Sequence, residues 1–239
     1  MRFNRRLHKI KAISFDLDDT LYSNRPVMMA IEQKMIAYFA RLLPDSDILF
    51  DHIFWSTFRE MAVKEQPKLS HDVVLIRLVT YRLGFISLGF TAKEADVNAQ
   101  NALAYFIHCR SNFNVPETSK NLLASLSKKY PLVAISNGNV DTNKLGLSQY
   151  FKAVYHAGFQ ADDTLFHQKP QTTMFDIACK NLGIKPIELL HVGDCGRSDI
   201  LGAHRSGCQT AWLSCYDVGQ PVSIIPHVEL TDINQLNKL

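Results

Sequence analysis

Two aspartates at alternate positions, just after a largely apolar segment, are the first residues in this sequence that could perform chemistry. The segment from Ile10 to Phe15 predicts a short buried strand, and Asp16 and Asp18 follow it. Side chains alternate along an extended chain, so both carboxylates point to one side, roughly 6.6 Å apart along the chain. A divalent cation there would offset their repulsion, and a small oxyanion would also fit. An ordinary acidic turn is the alternative, because Asp is common in turns.

Two weaker segments carry groups that could bind an oxyanion. Ser136, Asn137 and Gly138 follow a predicted strand, and a hydroxyl with backbone amides after a strand end can cradle an anion. Lys169 precedes a predicted helix and could neutralise a phosphate as a point charge. Each segment alone is equally typical of a turn or of a solvated lysine.

A fourth segment adds carboxylates at both ends of a glycine-containing loop. Asp194 directly follows a predicted strand and Gly193, and Asp199 lies five residues further, where the loop enters a helix. Hard cations such as Mg²⁺ prefer oxygen ligands of this kind. The four segments together predict a magnesium and phosphate site far more specifically than any one of them.

The elements that must position these residues fall into two groups. From Pro26 to about Cys109 the apolar spacing predicts four helices, the third ending near Gly84. After Pro116 helices alternate with short apolar strands, which predicts a parallel α/β sheet with helices on both faces. We therefore expect a Rossmann-like three-layer core, residues 1–22 and 112–239, with an inserted all-helical cap at 23–111.

Composition excludes several functional classes. The chain has 239 residues, a net charge of +3 and 46% hydrophobic residues, values ordinary for a globular protein. The charge is too small to predict nucleic-acid or membrane binding, and no apolar run reaches the roughly 18 residues of a membrane span. Basic residues near the start, from Arg2 to Lys11, predict a solvated lead-in to the first strand.

The five cysteines predict neither disulfides nor a zinc site. Their number is odd and no C-x-x-C pair occurs. Reduced thiols in a cytoplasmic protein are the expectation.

The four segments, in this order, resemble the four motifs of the haloacid dehalogenase superfamily. Asp16-Leu17-Asp18-Asp19-Thr20 is similar to its first motif in the phosphatase form, and the segment from Gly193 to Asp199 is similar to the fourth. Ser136-Asn137 and Lys169 correspond to the second and third. The resemblance covers about two-thirds of the chain, and the helical module lies where this family carries its helical cap. One departure is that Pro170-Gln171-Thr172 replaces the more usual Pro-Asp-Pro.

The resemblance implies a mechanism and a role for each residue. Asp16 would attack phosphorus to form an aspartyl-phosphate, and Asp18 would protonate the leaving alcohol and then activate water. The Asp16 carboxylate, the Asp18 carbonyl and the Asp194 carboxylate would hold Mg²⁺. The implied phosphate ligands are Ser136, Asn137 and Lys169. Asp199 would orient Lys169 or a metal-bound water, and Asp19 would shape the turn.

Alternatives within the fold remain. A haloacid dehalogenase needs neither an acid at Asp18 nor a metal, a mutase would return the phosphoryl group to its substrate, and a binding protein would not turn over. The resemblance extends to bacterial flavin mononucleotide and ribityl-aminouracil phosphate phosphatases, partly through Tyr216, Gly219 and Pro221. We therefore expect a small phosphorylated metabolite as the partner. Substrate contacts are predicted at Asn24, Arg25 and Asn139.

Overall fold

The computed structural model describes residues 1–161, 164–215 and 219–239, so Tyr216 lies outside the described residues. Its main β-structure is a seven-stranded sheet. Within this sheet the order is β1-β9-β8-β7-β2-β3-β4, and every neighbouring pair is parallel except β1 with β9. A short hairpin, β5 with β6, stands apart. The strands are β1 (Arg2–Phe3), β2 (Ala12–Phe15), β3 (Leu132–Ser136), β4 (Ala153–His156), β5 (Gln160–Ala161), β6 (Thr164–Leu165), β7 (Leu189–Gly193), β8 (Gln209–Leu213) and β9 (Val228–Leu230).

Helices cover the sheet on both sides and also form a separate group, so the predicted three-layer α/β core with an inserted helical module is confirmed. None of the described helices combines the length and hydropathy of a membrane-spanning segment. The α-helices are α1 (Asn24–Leu42), α2 (His52–Glu65), α3 (Val73–Ser87), α4 (Ala92–Arg110), α5 (Glu117–Leu126), α6 (Thr173–Leu182) and α7 (Gly202–Arg205). A π-helical turn, Gly196–Leu201, leads into α7.

The central strands β2, β3 and β7 are buried along their whole length. Strands covered on both faces read as continuous apolar runs, and this explains why they were visible in the sequence. Side chains from β2, β3, α6 and β7 meet in one core cluster, which includes Val133, Ile135, Phe175 and Leu189. The carboxyl ends of these three strands are therefore fixed by a packed core.

The chain forms two compact units. The core unit comprises Met1–Asn24 and Asn114–Leu239, and the helical unit comprises Arg25–Phe113. Both boundaries lie two residues from the predicted ones. All five cysteines are free thiols.

Aromatic rings fill the centre of the helical unit. Phe39 of α1 contacts Trp55 of α2 with ring centroids 4.6 Å apart, and Trp55 meets Tyr81 of α3 edge to face at 4.9 Å. Capping residues mark the N-termini of two of these helices. The Asp51 side chain caps α2 by accepting hydrogen bonds from the N–H groups of Ile53 and Phe54. Thr91 and Glu94 form the predicted capping box of α4.

Two predictions about elements are wrong. Helix α3 does not end near Gly84 but continues to Ser87. Gly84 is an interior residue of this helix and is buried against the Trp55 ring, where a side chain would not fit. The basic N-terminal segment is not only a lead-in, since Arg2–Phe3 forms an antiparallel edge strand against β9. A two-residue strand has too short a pattern to be seen in a sequence.

The contact between Gly84 and Trp55 predicts a specific stability defect. In Gly84→Ala the added methyl would overlap the indole ring, and we expect a loss of about 1–3 kcal/mol in the free energy of unfolding, measured by urea denaturation. In a Trp55→Phe background the same substitution should cost less, because the smaller phenyl ring lacks the indole atoms Cε3, Cζ3 and Cη2 that the added methyl would meet. Equal stability of Gly84→Ala and the wild type would contradict this packing.

Candidate active site

Residues far apart in sequence meet at the carboxyl ends of three adjacent strands. Asp16 follows β2, Ser136 ends β3 and Asp194 follows β7, and β2 lies between the other two strands. Open α/β sheets bind ligands at this edge. A cavity of about 110 Å³ opens there. Its lining residues are Asp16, Asp18, Ser136, Asn137, Gly138, Lys169, Cys195, Ser198 and Asp199.

The Lys169 ammonium makes three hydrogen bonds within the site. It is buried and donates to Asp16 Oδ1 at 2.6 Å, to Asp199 Oδ1 at 2.7 Å and to the carbonyl oxygen of Ile135 at 2.7 Å. The two carboxylates outweigh desolvation and raise the pKa of Lys169 above its ordinary value, so the side chain stays charged. To bind a phosphate oxygen, Lys169 would have to exchange one of these three acceptors for it.

The second motif supports Lys169 in a way that the sequence did not suggest. The Asn137 side chain accepts from the Lys169 backbone N–H at 2.7 Å and donates to the Lys169 carbonyl at 3.0 Å. Ser136 Oγ accepts the N–H of Gly138 at 3.0 Å, which leaves the hydroxyl proton available to an anion in the cavity. Asn137 therefore connects the second motif to the third.

The buried His191 is a second hydrogen-bond partner of Asp199. His191 Nε2 lies 3.1 Å from Asp199 Oδ1, and its Nδ1 lies 2.9 Å from Ser14 Oγ. The Lys169 and His191 partners hold the pKa of Asp199 below its usual value although burial opposes this, so Asp199 is an acceptor. Burial lowers the pKa of His191, so the ring is neutral, with Nε2–H donating to Asp199 and Nδ1 accepting from Ser14.

Asp18 is held from two directions. The Tyr22 hydroxyl donates to Asp18 Oδ1 at 2.9 Å. A Cβ added at Gly138 would lie 2.5 Å from Asp18 Oδ2, so only glycine lets the second-motif loop approach this carboxylate. Asp19 has the left-handed φ of 55° and accepts the backbone N–H of Asn24 at 2.8 Å. The expectation that Asp19 shapes the turn agrees with this geometry.

The donor set fits a divalent cation. Asp16, Asp194 and Asp199 each offer an oxygen, and these atoms lie within 4.8 Å of one another. Desolvation and neighbouring carboxylates raise the pKa of Asp16 well above its ordinary value and that of Asp194 to about 7. The Asp199 oxygens already accept from Lys169, His191 and the Cys195 N–H, so Asp16 and Asp194 are the carboxylates better placed to bind a metal.

The predicted substrate residues do not form one cluster around the small cavity. Asn24 and Asn139 belong to the core unit but do not line the small cavity, and Arg25 belongs to the helical unit. The Asn24 side-chain oxygen is buried without a hydrogen-bond partner within the described part of the chain. Their contact with a substrate stays a prediction.

Tyr22, Thr20 and His191 are site residues that sequence reasoning missed. Thr20 Oγ1 donates to Asp194 Oδ1 at 3.4 Å, across 174 positions of sequence. Tyr22 is recognisable only in retrospect, as a hydroxyl four residues after Asp18. His191 lies within a buried strand, where a lone histidine gives no signal of its partner.

Comparison with known proteins agrees with this geometry. The family model for haloacid dehalogenase-like hydrolases matches residues 10–207. The 5-amino-6-(5-phospho-D-ribitylamino)uracil phosphatase YigB of Escherichia coli (strain K12) is 35% identical over 243 residues, which cover 100% of both chains. A glyceraldehyde 3-phosphate phosphatase of Methanothermobacter thermautotrophicus is 26% identical, covering 83% of each chain.

A solved structure has a similar fold over nearly the whole chain. The 2-haloacid dehalogenase of Pseudomonas syringae pv. Tomato DC3000 superimposes with a TM-score of 0.86 at 26% identity, over 96% of this chain and 97% of its own. Its name points to a different reaction from that of the two phosphatases, so the identity of the reaction depends on the site residues.

The raised pKa of Asp194 predicts a pH-dependent stability of the metal-free protein. Between the ordinary value of 3.8 and about 7 the folded state binds the extra proton, so stability is lost as the pH rises through this window. We expect the loss to be at most about 1.4 kcal/mol per pH unit for one group. Thermal unfolding in EDTA at pH 4 to 8 measures it.

Asp194→Asn is the matched control for this effect, because its amide does not titrate. The melting temperature of the wild type should fall relative to that of Asp194→Asn as the pH rises, and Mg²⁺ should reverse the difference at pH 8. Melting temperatures that change in parallel with pH in the two proteins would contradict the raised pKa of Asp194.

Proposed function

The chain belongs to the haloacid dehalogenase-like hydrolase family and is a phosphatase, and from this premise we propose that it hydrolyses a small phosphomonoester through an aspartyl-phosphate on Asp16. The observation that carries the proposal is that Asp16, Asp18 and Lys169 line one cavity, with Asp16 bonded to Lys169 and Asp18 held by Tyr22. A nucleophile, a proton carrier and a fixed cation are the groups that this reaction requires.

Asp16 is the proposed nucleophile. One carboxylate oxygen would form a bond to phosphorus while the bond from phosphorus to the leaving oxygen breaks. Lys169 keeps this carboxylate oriented through its 2.6 Å hydrogen bond. Water would then cleave the acyl phosphate, regenerating Asp16 and releasing inorganic phosphate.

Asp18 is the proposed proton carrier. It would give a proton to the leaving alcohol and take one from the attacking water. The hydrogen bond from Tyr22 to Oδ1 and the close approach of Gly138 to Oδ2 restrict the rotation of this carboxylate. A group that acts in both steps must remain in one position between them.

Mg²⁺ is the proposed cofactor, held by the Asp16 and Asp194 carboxylates and the Asp18 carbonyl. When bound, it would supply positive charge that offsets the repulsion between a carboxylate and a phosphate. The Ser136 hydroxyl, the Asn137 backbone N–H and the Lys169 ammonium would donate to the phosphate oxygens. Asp199 remains the positioning residue for Lys169, as its three hydrogen bonds suggest.

The proposed substrate is a phosphorylated ribityl compound, either flavin mononucleotide or 5-amino-6-(5-phospho-D-ribitylamino)uracil. Support comes from the similarity to the Escherichia coli phosphatase over the full length of both chains. Glyceraldehyde 3-phosphate is the less favoured substrate, because the phosphatase named for it is only 26% identical to this chain.

Dehalogenation is the second candidate because of the structural similarity to a 2-haloacid dehalogenase. That reaction displaces halide from carbon and needs no acid at the position of Asp18. The hydrogen bond that Tyr22 donates to Asp18 and the cluster of three carboxylates are therefore better explained by phosphatase chemistry. Chloride release from 2-chloropropionate, without added metal, would instead support the dehalogenase.

Replacing the nucleophile tests the mechanism. Asp16→Asn should lower Mg²⁺-dependent phosphate release by at least about 10³-fold, while the amide still accepts from Lys169 and the protein stays folded. Asp176→Asn, an exposed carboxylate on α6, is the control and should retain activity. EDTA should abolish the wild-type activity and Mg²⁺ should restore it; full activity of Asp16→Asn would refute the assignment.

A substrate panel tests the proposed specificity separately. We expect kcat/KM for the two ribityl phosphates to exceed that for glyceraldehyde 3-phosphate, glucose 6-phosphate and a nucleoside monophosphate by about tenfold or more, a difference of about 1.4 kcal/mol in transition-state binding. A higher value for glyceraldehyde 3-phosphate would leave the phosphatase mechanism intact and overturn the substrate class.

A further inference from the structure

The histidine that ends β4 lies outside the residues to which the proposed reaction gives a role. In the register of the sheet His156 is paired with Ser136, the last residue of β3, so it belongs to the edge of the sheet that carries the active site. Its side chain is partly buried and does not line the small cavity, so we expect no contact with a substrate there. The ring instead contacts the loop that follows β3.

This ring is hydrogen-bonded to a backbone oxygen of the second motif. Nδ1 of His156 lies 2.7 Å from the carbonyl oxygen of Gly138, at the short end of the range for such bonds. A carbonyl oxygen only accepts, so Nδ1 must carry the proton, in the neutral and in the charged ring alike. The ring also packs against Phe159, with centroids 5.7 Å apart and planes inclined by 43°. The two contacts fix the direction in which His156 donates.

Gly138 in turn lies beside the proposed proton carrier. A Cβ added to Gly138 would be 2.5 Å from Asp18 Oδ2 and 3.4 Å from Ser136 Oγ, so its backbone adjoins both groups. Its N–H donates to Ser136 Oγ at 3.0 Å, and its carbonyl accepts from His156. The residue next to the Asp18 carboxylate is therefore held by a hydrogen bond on each side.

Neighbouring residues of the second motif thus have different anchors. The Asn137 side chain binds the backbone of Lys169, 32 positions away. Gly138 binds His156, 18 positions away on the adjacent strand. The first anchor serves the lysine, and the second serves the carboxylate of Asp18. Loss of the second anchor therefore leaves the first one in place.

We propose that His156 is a positioning residue for Asp18. By holding the Gly138 carbonyl it keeps the loop against Asp18 Oδ2, and the carboxylate stays within hydrogen-bonding reach of the leaving oxygen. The inference rests on the proposed function, in which Asp18 gives the leaving alcohol its proton. Without the bond the Gly138 peptide is free to rotate toward water, and a displacement of the acid by about 1 Å would cost up to about 10²-fold in rate.

Leaving groups of different basicity distinguish this role from a purely structural one. p-Nitrophenol departs readily as an anion, so phosphoryl transfer from p-nitrophenyl phosphate gains little from an acid. An alkyl phosphate releases a much more basic oxygen and depends on the acid. The quantity to compare is kcat/KM, because it reports the steps up to the departure of the leaving group.

The test uses the full chain with Mg²⁺ and three substitutions at one position. His156→Asn keeps an N–H donor at the place of Nδ1, His156→Gln moves the donor one bond further, and His156→Leu removes it. With the alkyl phosphate of the substrate panel that the wild type hydrolyses fastest, we expect His156→Gln and His156→Leu to lower kcat/KM by about tenfold or more. With p-nitrophenyl phosphate the loss should be less than about twofold, and His156→Asn should stay within about threefold of the wild type with both substrates.

Two further variants set the scale of the effect. Asp18→Asn removes the acid itself, so it should show the same selectivity with a larger amplitude. His204→Leu replaces an exposed histidine of α7 that does not line the small cavity, and it should leave both substrates unaffected. Melting temperatures are measured for every variant, and the polar His156→Gln carries the test if His156→Leu does not fold.

Three outcomes would overturn the proposal: equal losses with the two substrates, wild-type kcat/KM in every folded His156 variant, or a loss in His156→Asn as large as that in His156→Gln. Each of them leaves the proposed function intact when Asp18→Asn is selective between the substrates. An Asp18→Asn variant without this selectivity would show that Asp18 is not the proton donor, and it would overturn both.

Discussion

The buried ammonium of Lys169 is the group on which the arrangement of the site depends. An isolated charge in this position would be costly, and it is tolerated because three acceptors meet its three N–H groups: Asp16, Asp199 and the Ile135 carbonyl. These acceptors come from the end of β2, the π-helical turn after β7, and β3. One cation thus fixes the relative positions of three separate chain segments, and a proposed nucleophile is among them.

The surrounding residues restrain this cation rather than add further charge. The Asn137 side chain makes hydrogen bonds to both the N–H and the carbonyl of Lys169. His191 is hydrogen-bonded to Asp199 through Nε2 and to Ser14 through Nδ1. The result is a continuous hydrogen-bonded series from the interior of β2 to the cavity. Because Ser14 and His191 are opposite each other in the register of β2 and β7, the sheet itself sets the geometry of the series. Precise placement of this kind is what electrostatic catalysis requires.

Residues whose role follows from local spacing could be predicted from the sequence, and residues whose role depends on pairing could not. Asp16 and Asp18 were visible because strand alternation acts over two positions, and the buried strands β2, β3 and β7 were visible as apolar runs. The sequence predicts an anion contact through the Asn137 backbone, but it does not reveal that the Asn137 side chain binds the backbone of Lys169, 32 positions away. The predicted end of α3 is wrong because glycine lowers helix propensity, whereas Gly84 is an interior helix residue whose lack of a side chain makes room for the Trp55 ring, a tertiary contact that local sequence does not reveal.

The charge balance of the cavity links the fold to the proposed chemistry. The site holds four carboxylates, Asp16, Asp18, Asp194 and Asp199, and one ammonium. Lys169 donates to Asp16 and Asp199, and these two carboxylates are buried. Asp199 is stabilised as an anion by Lys169 and His191, whereas burial raises the pKa of Asp16 and Asp194. Lys169 is therefore shared between Asp16 and Asp199, and its single positive charge does not balance the three carboxylates Asp16, Asp194 and Asp199. A divalent cation would remove this deficit, and the desolvated Asp16 anion that it stabilises would be the more reactive because no water shell must be displaced before attack on phosphorus.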